Sequence, residues 1–319
     1  MSKSGLTIEF ATEDFGEFAD DLDMKQGLQS FALELDYRGL TPKTQKGYRD
    51  RLRYFRRYLT RVAHIKFADI TSDTIKEYVV YLKRKNLSEI SINGYLKVLS
   101  VYWNYLCSVG LWNGSPNPMT AIKLLRVPQI EKRVLKLEDV KRILAVPSRK
   151  NFFGFRTYVM LLLFYDTAIR LNELRAITLE DIDIQGGTIL IHGKGRKQRI
   201  AIFGKRTAKW LHLFITRWRL QYPGEYLFST RKGKQILEST VQRTVRRVGE
   251  KAGLEIPLSP HLIRHSAATH RAQAGMPTFW LQRYLGHASV RTTERYVHMA
   301  DSEDEREKFR RFSPLDSLR

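Results

Sequence analysis

The chain has 319 residues, a hydrophobic content of 43% and 55 lysines and arginines against 33 aspartates and glutamates, which gives a formal net charge of +22. This length predicts two domains, each large enough to bury a core of its own. The single cysteine, Cys107, excludes an internal disulfide and a cysteine-rich zinc site, and the apolar run around it predicts a buried structural thiol in a reducing compartment. No apolar run reaches transmembrane length, and the acidic N-terminal sequence is not typical of a signal peptide, so no membrane association is expected.

The positive charge is unevenly distributed along the chain. Residues 1–23 form an acidic leader with seven acidic residues and one lysine, and the basic excess lies in the rest of the sequence. A strong positive charge concentrates polyanions around a protein and predicts salt-sensitive binding to phosphate backbones. Charge alone is equally compatible with a ribosome-associated protein or with a merely basic surface.

Residues 24–116 are predicted to form a helical domain of four helices. Thr41-Pro42 marks the start of the second helix, in which apolar residues recur at helical spacing: Tyr48, Leu52, Phe55, Leu59 and Val62. Thr71 is expected to cap the third helix. The fourth begins near residue 89 and ends before Gly110, and its inward face is predicted to comprise Ile92, Leu96, Leu99, Trp103 and Leu106.

A proline-containing linker is predicted at residues 117–136, followed by a second domain at residues 137–300 and a C-terminal tail at residues 301–319. The fold class is therefore mainly α, with a second domain of α+β type. The second domain is expected to be helical apart from one β-hairpin, because β-branched residues flank a turn rich in glycine around Lys194. The apolar run from Tyr158 to Tyr165 predicts a buried helix.

Five polar residues of the second domain occur in an order that suits attack on a phosphodiester: Arg170, His261, Arg264, His287 and Tyr296. Arginine forks bind non-bridging phosphate oxygens, histidines donate hydrogen bonds or move protons near neutral pH, and a tyrosine can be a covalent nucleophile. Ser259-Pro260 predicts a helix start, which places His261 and Arg264 on one face of the first turn, where free N–H groups favour an anion. Each of these residues alone is more often structural, so the prediction depends on their joint occurrence.

These motifs resemble those of the tyrosine recombinase (phage integrase) family, and in particular its two-domain Xer-type members. The sequence Thr-Ala-Ile-Arg-Leu-Asn-Glu-Leu at residues 167–174 is similar to the family box Thr-Gly-x-Arg-x-x-Glu-Leu. Ala168 stands where the family usually has glycine, and it would be strained if that position requires a positive φ. The glycine-rich turn resembles the hairpin that carries the family's catalytic lysine, and the later histidine, arginine and tyrosine motifs match the remaining boxes.

The resemblance implies a site-specific DNA recombinase that forms a 3′-phosphotyrosine and needs no metal, no ATP and no other cofactor. The helical first domain would be the family's SAM-like core-binding domain, which clamps duplex DNA. The implied catalytic residues are Arg170, Lys194, His261, Arg264, His287 and the nucleophile Tyr296, with Glu173 as a supporting residue. Basic residues of the second helix and of the hairpin turn are expected to contact the DNA backbone: Lys46, Arg49, Arg53, Arg56, Arg57, Arg196 and Lys197.

The implied partners are double-stranded DNA at specific recombination sites and further copies of the chain. Four protomers on two DNA sites would exchange strands through a Holliday junction, in the cytoplasm at the nucleoid. The tail at residues 301–319 is expected to dock on a neighbouring protomer, because Phe309, Phe312 and Leu315 recur at a spacing of three.

Three alternative functions are compatible with parts of the pattern. A type IB topoisomerase uses similar groups to relax DNA, but the helical first domain and the chain length favour a recombinase. A DNA-binding protein that has lost catalysis would not need the complete set of catalytic residues. A general basic RNA-binding protein would leave the ordered motifs unexplained.

Overall fold

The computed structural model describes residues 22–112, 116–128, 133–193 and 198–286. The chain divides into two compact units, Met1–Ile130 and Glu131–Arg319. Each unit has its own hydrophobic core. Among the described residues, no helix is both long enough and apolar enough to cross a membrane.

The described part of the first unit contains four α-helices: α1 Leu22–Tyr37, α2 Pro42–Tyr58, α3 Ser72–Arg84 and α4 Glu89–Ser108. Hydroxyl side chains cap the last three, because Thr41, Thr71 and Ser88 each accept a hydrogen bond from the backbone N–H three residues further on. The predicted helix starts at Thr41 and Thr71 are thereby confirmed.

Aromatic rings from three helices fill the core of this unit. The Phe55 ring of α2 lies 4.8 Å from the Tyr78 ring of α3 and 5.7 Å from the Trp103 ring of α4, both in edge-to-face contact. The predicted inward face of α4 is confirmed, since all of its members are buried: Ile92, Leu96, Leu99, Trp103 and Leu106.

One prediction for this unit is wrong, and the last apolar residue of the spacing predicted for α2 departs from the helical face. Cys107 is exposed, because it follows the buried Leu106 by one position, which is about 100° around an α-helix. Val62 is 49% exposed. The regular helix ends at Tyr58 and continues as a π-helical turn, Leu59–Ala63, which changes the angular spacing and takes Val62 off the inward face.

The segment that follows α4 is held against the first unit. The side-chain amide of Asn93 donates to the carbonyl of Leu125 at 2.9 Å, and its oxygen accepts from the Leu125 N–H at 2.8 Å. Ser72 donates to the carbonyl of Pro118 at 2.9 Å, and Met119 is buried in the core. Residues 116–128 are therefore ordered by contacts with α3 and α4.

The described part of the second unit consists of helices around a small antiparallel sheet. Its helices are α5 Leu137–Ala145, α6 Phe152–Thr167, α7 Leu171–Ala176, α8 Lys205–Arg217, α9 Glu238–Lys251, α10 Pro260–Gln273 and α11 Thr278–Leu285. Its strands are β1 Ile182–Asp183, β2 Thr188–His192 and β3 Gln198–Ile202, in the order β1-β2-β3. The predicted hairpin corresponds to β2 and β3.

Helix α6 is the central element of this unit, and it packs against α5, α7, α8, α9, α10 and β3. Residues 158–164 are all buried, which confirms the buried helix predicted from the apolar run. The C-terminal end of α6 leads through Ala168 to Arg170, so the central helix sets the position of the arginine motif.

The register of the hairpin decides which side chains of β3 face the core. Ile189 lies opposite Ala201, and Ile191 lies opposite Arg199. Directly opposed residues of an antiparallel pair share a face of the sheet, and both isoleucines of β2 are buried. Arg199 therefore lies on the core-facing side, although it is the charged residue of the strand.

Ala168 has the left-handed backbone conformation, with φ +46° and ψ 32°. This conformation costs an L-residue about 1–2 kcal/mol. The alanine methyl is fully buried in a cluster with Ala267, Ala268 and Leu281, and this burial stabilises the fold by about 0.8 kcal/mol. A glycine at this position would lose about 0.5–1 kcal/mol more in conformational entropy on folding than alanine does. Strain and burial therefore offset each other.

We expect Ala168→Gly to change the free energy of unfolding by less than about 1 kcal/mol, because relief of strain is offset by the lost methyl and by entropy. Ala168→Val should lower it by at least about 2 kcal/mol, since a branched side chain is strained at positive φ and overfills the cluster. Chemical denaturation measures both variants. A large stabilisation by glycine would contradict the proposed balance.

Candidate active site

Arg170 is fixed by the capping box that starts α7. It occupies the N-cap position in an extended conformation, with φ −75° and ψ 152°. Glu173 Oε2 accepts from the Arg170 backbone N–H at 3.0 Å, and Glu173 Oε1 accepts from Arg170 Nη1 at 2.8 Å. One carboxylate thus orients both the backbone and the guanidinium of Arg170. The arginine side chain keeps 41% of its surface exposed, so a phosphate can reach it.

Arg264 lies in the first turns of α10, whose start is capped by Ser259 Oγ accepting from the Leu262 N–H at 3.1 Å. Its side chain is buried, and its Nη1 donates to the carbonyl of Ala168. Its Nη2 donates to the carbonyl of Leu285 at 2.6 Å. Both carbonyls belong to helix C-terminal ends, where the last carbonyls lack a partner within the helix and the dipole favours a cation.

The two arginines meet at the C-terminal end of α11. Arg264 binds the carbonyl of Leu285, and Arg170 Nη2 donates to the carbonyl of Gly286 at 3.2 Å. Gly286 caps the helix in the left-handed conformation, with φ +59°. The two guanidiniums are therefore directed to consecutive peptide groups immediately before His287.

A second network holds the end of α6 in place. Asp166 Oδ2 accepts from the Gly204 N–H at 2.8 Å and from Thr207 Oγ1 at 2.7 Å. Arg271 Nη2 donates to Asp166 Oδ1 at 3.1 Å, and the Arg271 guanidinium lies 4.3 Å from the centre of the Tyr284 ring. This network joins α6 to α8, α10 and α11, so the segment from Asp166 to Arg170 has little freedom to move.

Tyr284 is unsuited to act as a nucleophile. Burial raises the pKa of its phenol well above the ordinary value. Its hydroxyl already donates to the backbone carbonyl of Asp166 at 3.1 Å. The tyrosine chosen from the sequence motif, Tyr296, lies outside the described residues.

Glu173 is held as a carboxylate between two guanidiniums. Burial by itself would raise its pKa, but the charge of Arg199 and the hydrogen bonds from Arg170 outweigh this and hold the pKa below its ordinary value. Arg199 Nη2 donates to Glu173 Oε2 at 2.7 Å. Such a carboxylate is a poor proton acceptor, and it orients the arginines instead.

The structure brings Arg170, Glu173 and Arg264 together, and it places His261 on the exposed side of the first turn of α10, three residues before Arg264. The basic residues predicted to contact DNA from α2 lie in the first unit and are exposed or half-buried: Lys46, Arg49, Arg53, Arg56 and Arg57. The other predicted site residues lie outside the described part of the chain: Lys194, Arg196, Lys197, His287 and Tyr296.

Sequence analysis did not single out Arg199, which the structure places against Glu173. The available signal was the two-residue alternation of a strand. Positions 201 and 199 of β3 lie opposite the buried residues Ile189 and Ile191 of β2, so both positions are on the core-facing side of the hairpin. That count requires the register, and the sequence alone does not define the register of a hairpin whose turn contains several residues.

Two family models match the chain: the phage integrase family over residues 133–303, and the phage integrase SAM-like domain over residues 28–120. The chain is 28% identical over 268 residues to the tyrosine recombinase XerD of Listeria innocua, which covers 82% of this chain and 90% of that protein. Its fold is similar to that of the Tn1549 transposon integrase in complex with transposon right end DNA, with a TM-score of 0.73 at 18% identity over 90% of this chain and 99% of that one. It is also similar to the XerH site-specific recombinase bound to difH substrate in a post-cleavage complex, with a TM-score of 0.69 at 21% identity over 88% and 83% of the chains.

The chain belongs to the phage integrase family, because a family model matches more than half of its length. It is an enzyme that breaks and rejoins DNA strands in site-specific recombination. The predicted family and the mainly helical fold with a small antiparallel sheet are confirmed, and relaxation by a type IB topoisomerase is not favoured.

Gly286 combines a positive φ with a close approach of Arg199. A Cβ atom at this position would lie 2.4 Å from Arg199 Nε and 2.5 Å from Arg199 Cδ. These atoms are in the middle of the arginine side chain, so an alanine would displace the whole guanidinium from Glu173. Gly275 provides a control, since its φ is +83° and a Cβ there would have no neighbour within 4 Å.

We expect Gly286→Ala to slow DNA cleavage by about 10²-fold, because small displacements of catalytic groups have effects of that size. Gly275→Ala should leave the cleavage rate nearly unchanged, although both variants lose about 1–2 kcal/mol of stability from backbone strain. Single-turnover cleavage at saturating DNA and thermal unfolding separate the two effects. Equal rates for both variants would show that the contact with Arg199 is unimportant.

Proposed function

We propose that the chain recombines duplex DNA at a specific site through a covalent 3′-phosphotyrosine intermediate, with the catalytic residues assigned from its sequence motifs. The observation that carries this proposal is the convergence of Arg170 and Arg264 on the consecutive carbonyls of Leu285 and Gly286. Two guanidiniums at one point of the backbone, directly before a histidine in the sequence, place two positive charges where the charge of a phosphodiester can be met.

In the proposed cleavage step, the Tyr296 oxygen attacks the scissile phosphorus while the bond from phosphorus to the 5′-oxygen breaks. His261 accepts the proton that the tyrosine loses, and its exposed position at the start of α10 supports access to DNA. Lys194 donates a proton to the leaving 5′-oxygen. The products are a 3′-phosphotyrosine and a free 5′-hydroxyl, so atoms and charge balance without a further reactant.

Arg170, Arg264 and His287 are proposed to stabilise the charge that develops on the non-bridging oxygens during this step. Arg170 is half-exposed, whereas Arg264 is buried and holds the C-terminal ends of α6 and α11 together. The phosphotyrosine bond retains the free energy of the broken phosphodiester, so rejoining to another strand requires neither ATP nor another cofactor. The phosphate charge is met by side chains of the protein, and no metal is required by the proposed steps.

The assembly is proposed to contain four protomers on two DNA sites, which exchange strands in pairs through a Holliday junction. The first unit would grip the DNA backbone with the basic side of α2, and Arg196 and Lys197 would add contacts from the hairpin turn. The tail at residues 301–319 would dock on a neighbouring protomer. Because its substrate is DNA, the enzyme is proposed to act in the cytoplasm at the nucleoid.

The nucleophile is tested by comparing Tyr296→Phe with Tyr284→Phe. We expect Tyr296→Phe to bind DNA with unchanged affinity and to form no covalent complex, because only the phenolic oxygen is lost. Tyr284→Phe should retain covalent complex formation. Denaturing gels with end-labelled, nicked recombination-site DNA report the adduct. Adduct formation by Tyr296→Phe, with loss in Tyr284→Phe, would make the proposed assignment wrong.

The general acid is tested with DNA in which sulfur replaces the leaving 5′-oxygen. An alkoxide requires protonation as it leaves, and a positioned acid contributes about 10²–10⁴-fold to the rate, whereas a thiolate leaves unaided. Lys194→Ala should therefore be inactive on ordinary DNA and active on the sulfur substrate. Arg170→Ala should be inactive on both, because its proposed role concerns the non-bridging oxygens.

Rescue of Arg170→Ala by sulfur without rescue of Lys194→Ala would make the assignment of Lys194 as the general acid wrong. His261 and Arg196 would then be the next candidates for the general acid. The rate of covalent complex formation in a single turnover is the measured quantity in every case.

A further inference from the structure

Arg199 is a mostly buried cation at the site, and the proposed mechanism assigns no role to it. Its side chain is 16% exposed, and its Nη2 forms an ion pair with Glu173 Oε2 at 2.7 Å. The side chain also runs along the backbone of Gly286, in the space that a Cβ at that position would occupy. It therefore binds Glu173, which orients Arg170, and lies beside Gly286, whose carbonyl Arg170 binds.

Two nitrogens of Arg199, Nε and Nη1, are buried and have no hydrogen-bond partner in the described part of the structure. Burying an arginine carries a desolvation cost, and leaving its donors unpaired adds to that cost. An arginine selected only for stability would be expected to have most of its five donors paired. We therefore expect Arg199 to have a function that outweighs this cost in stability.

The charge balance around Glu173 suggests that function. Without Arg199, the Arg170 guanidinium and the Glu173 carboxylate would form a neutral pair, and the hydrogen bond from Nη1 at 2.8 Å would hold the guanidinium toward the carboxylate. With Arg199, the three side chains carry one net positive charge. The carboxylate is then shared, since Oε2 accepts from Arg199 while Oε1 accepts from Arg170 Nη1.

We propose that Arg199 is a positioning residue for DNA cleavage: it shares the charge of Glu173, so that Arg170 meets the scissile phosphate as an oriented and uncompensated cation. This role rests on the proposed function of Arg170 in binding the non-bridging oxygens. Arg199 acts through Glu173, and its effect is on the charge that develops at phosphorus. The leaving 5′-oxygen is not involved.

The test compares Arg199→Gln with the wild-type enzyme on two nicked substrates, one with an ordinary scissile phosphate and one with a neutral methylphosphonate at the same position. On the phosphate, we expect covalent complex formation at saturating DNA to slow by about 10- to 100-fold, with a Kd for DNA within a factor of about 3. On the methylphosphonate, the same variant should be within a factor of about 3 of the wild-type enzyme, because less charge has to be stabilised.

Three further variants make the test specific. Arg199→Lys should recover part of the rate on the phosphate, since it restores the charge without the planar fork. In a Glu173→Gln background, Arg199→Gln should have an effect of less than about threefold, because no carboxylate charge is left to share. Arg217→Gln removes an exposed arginine from the end of α8, and it should cleave both substrates at the wild-type rate.

An equal loss for Arg199→Gln on both substrates would mean that Arg199 only stabilises the fold, and it would overturn the proposal. Rescue of Arg199→Gln by the 5′-sulfur substrate would also overturn it, because the residue would then act on the leaving group. Failure of the wild-type enzyme to form any adduct would instead contradict the proposed function of the chain. Thermal unfolding of each variant shows whether it is folded under the assay conditions.

Discussion

The guanidinium of Arg264 joins the C-terminal ends of two helices, and the geometry of the site depends on this contact. It donates to the carbonyl of Ala168 at the end of α6 and to the carbonyl of Leu285 at the end of α11. Both carbonyls lie where a helix has unpaired acceptors and a partial negative charge. A cation that satisfies both ends at once brings the segment that carries Arg170 and the C-terminal end of α11 to the same place.

Helices α6 and α11 end with the same backbone conformation. Ala168 and Gly286 both adopt the left-handed conformation, with φ of +46° and +59°, and this conformation ends a helix sharply within one residue. The first allows an alanine because its methyl is buried in an apolar cluster. The second requires a glycine, since Arg199 occupies the space beside it. The left-handed residue is therefore constrained by apolar packing at the end of α6 and by a charged side chain at the end of α11.

Much of the fold and part of the site could be predicted because they depend on contacts close in sequence. The helix starts at Thr41, Thr71 and Ser259 depend on side chains that bind the next turn, and the capping box of Arg170 and Glu173 lies within four residues. The errors have a different origin. Cys107 was expected to be buried from the apolar character of its neighbours, but the position of a residue around the helix decides its exposure.

The sequence by itself determined the order of the motifs, the family that they indicate, the helix caps and the arms of the hairpin, because each of these depends on residue types at short spacings. Only the tertiary structure decided which polar groups share the site. Arg199 reaches Glu173 across 26 positions, and Arg264 reaches Ala168 across 96. Such contacts depend on strand register and helix packing, which arise from the balance of burial, hydrogen bonding and charge over the whole unit and leave no local signature in the sequence.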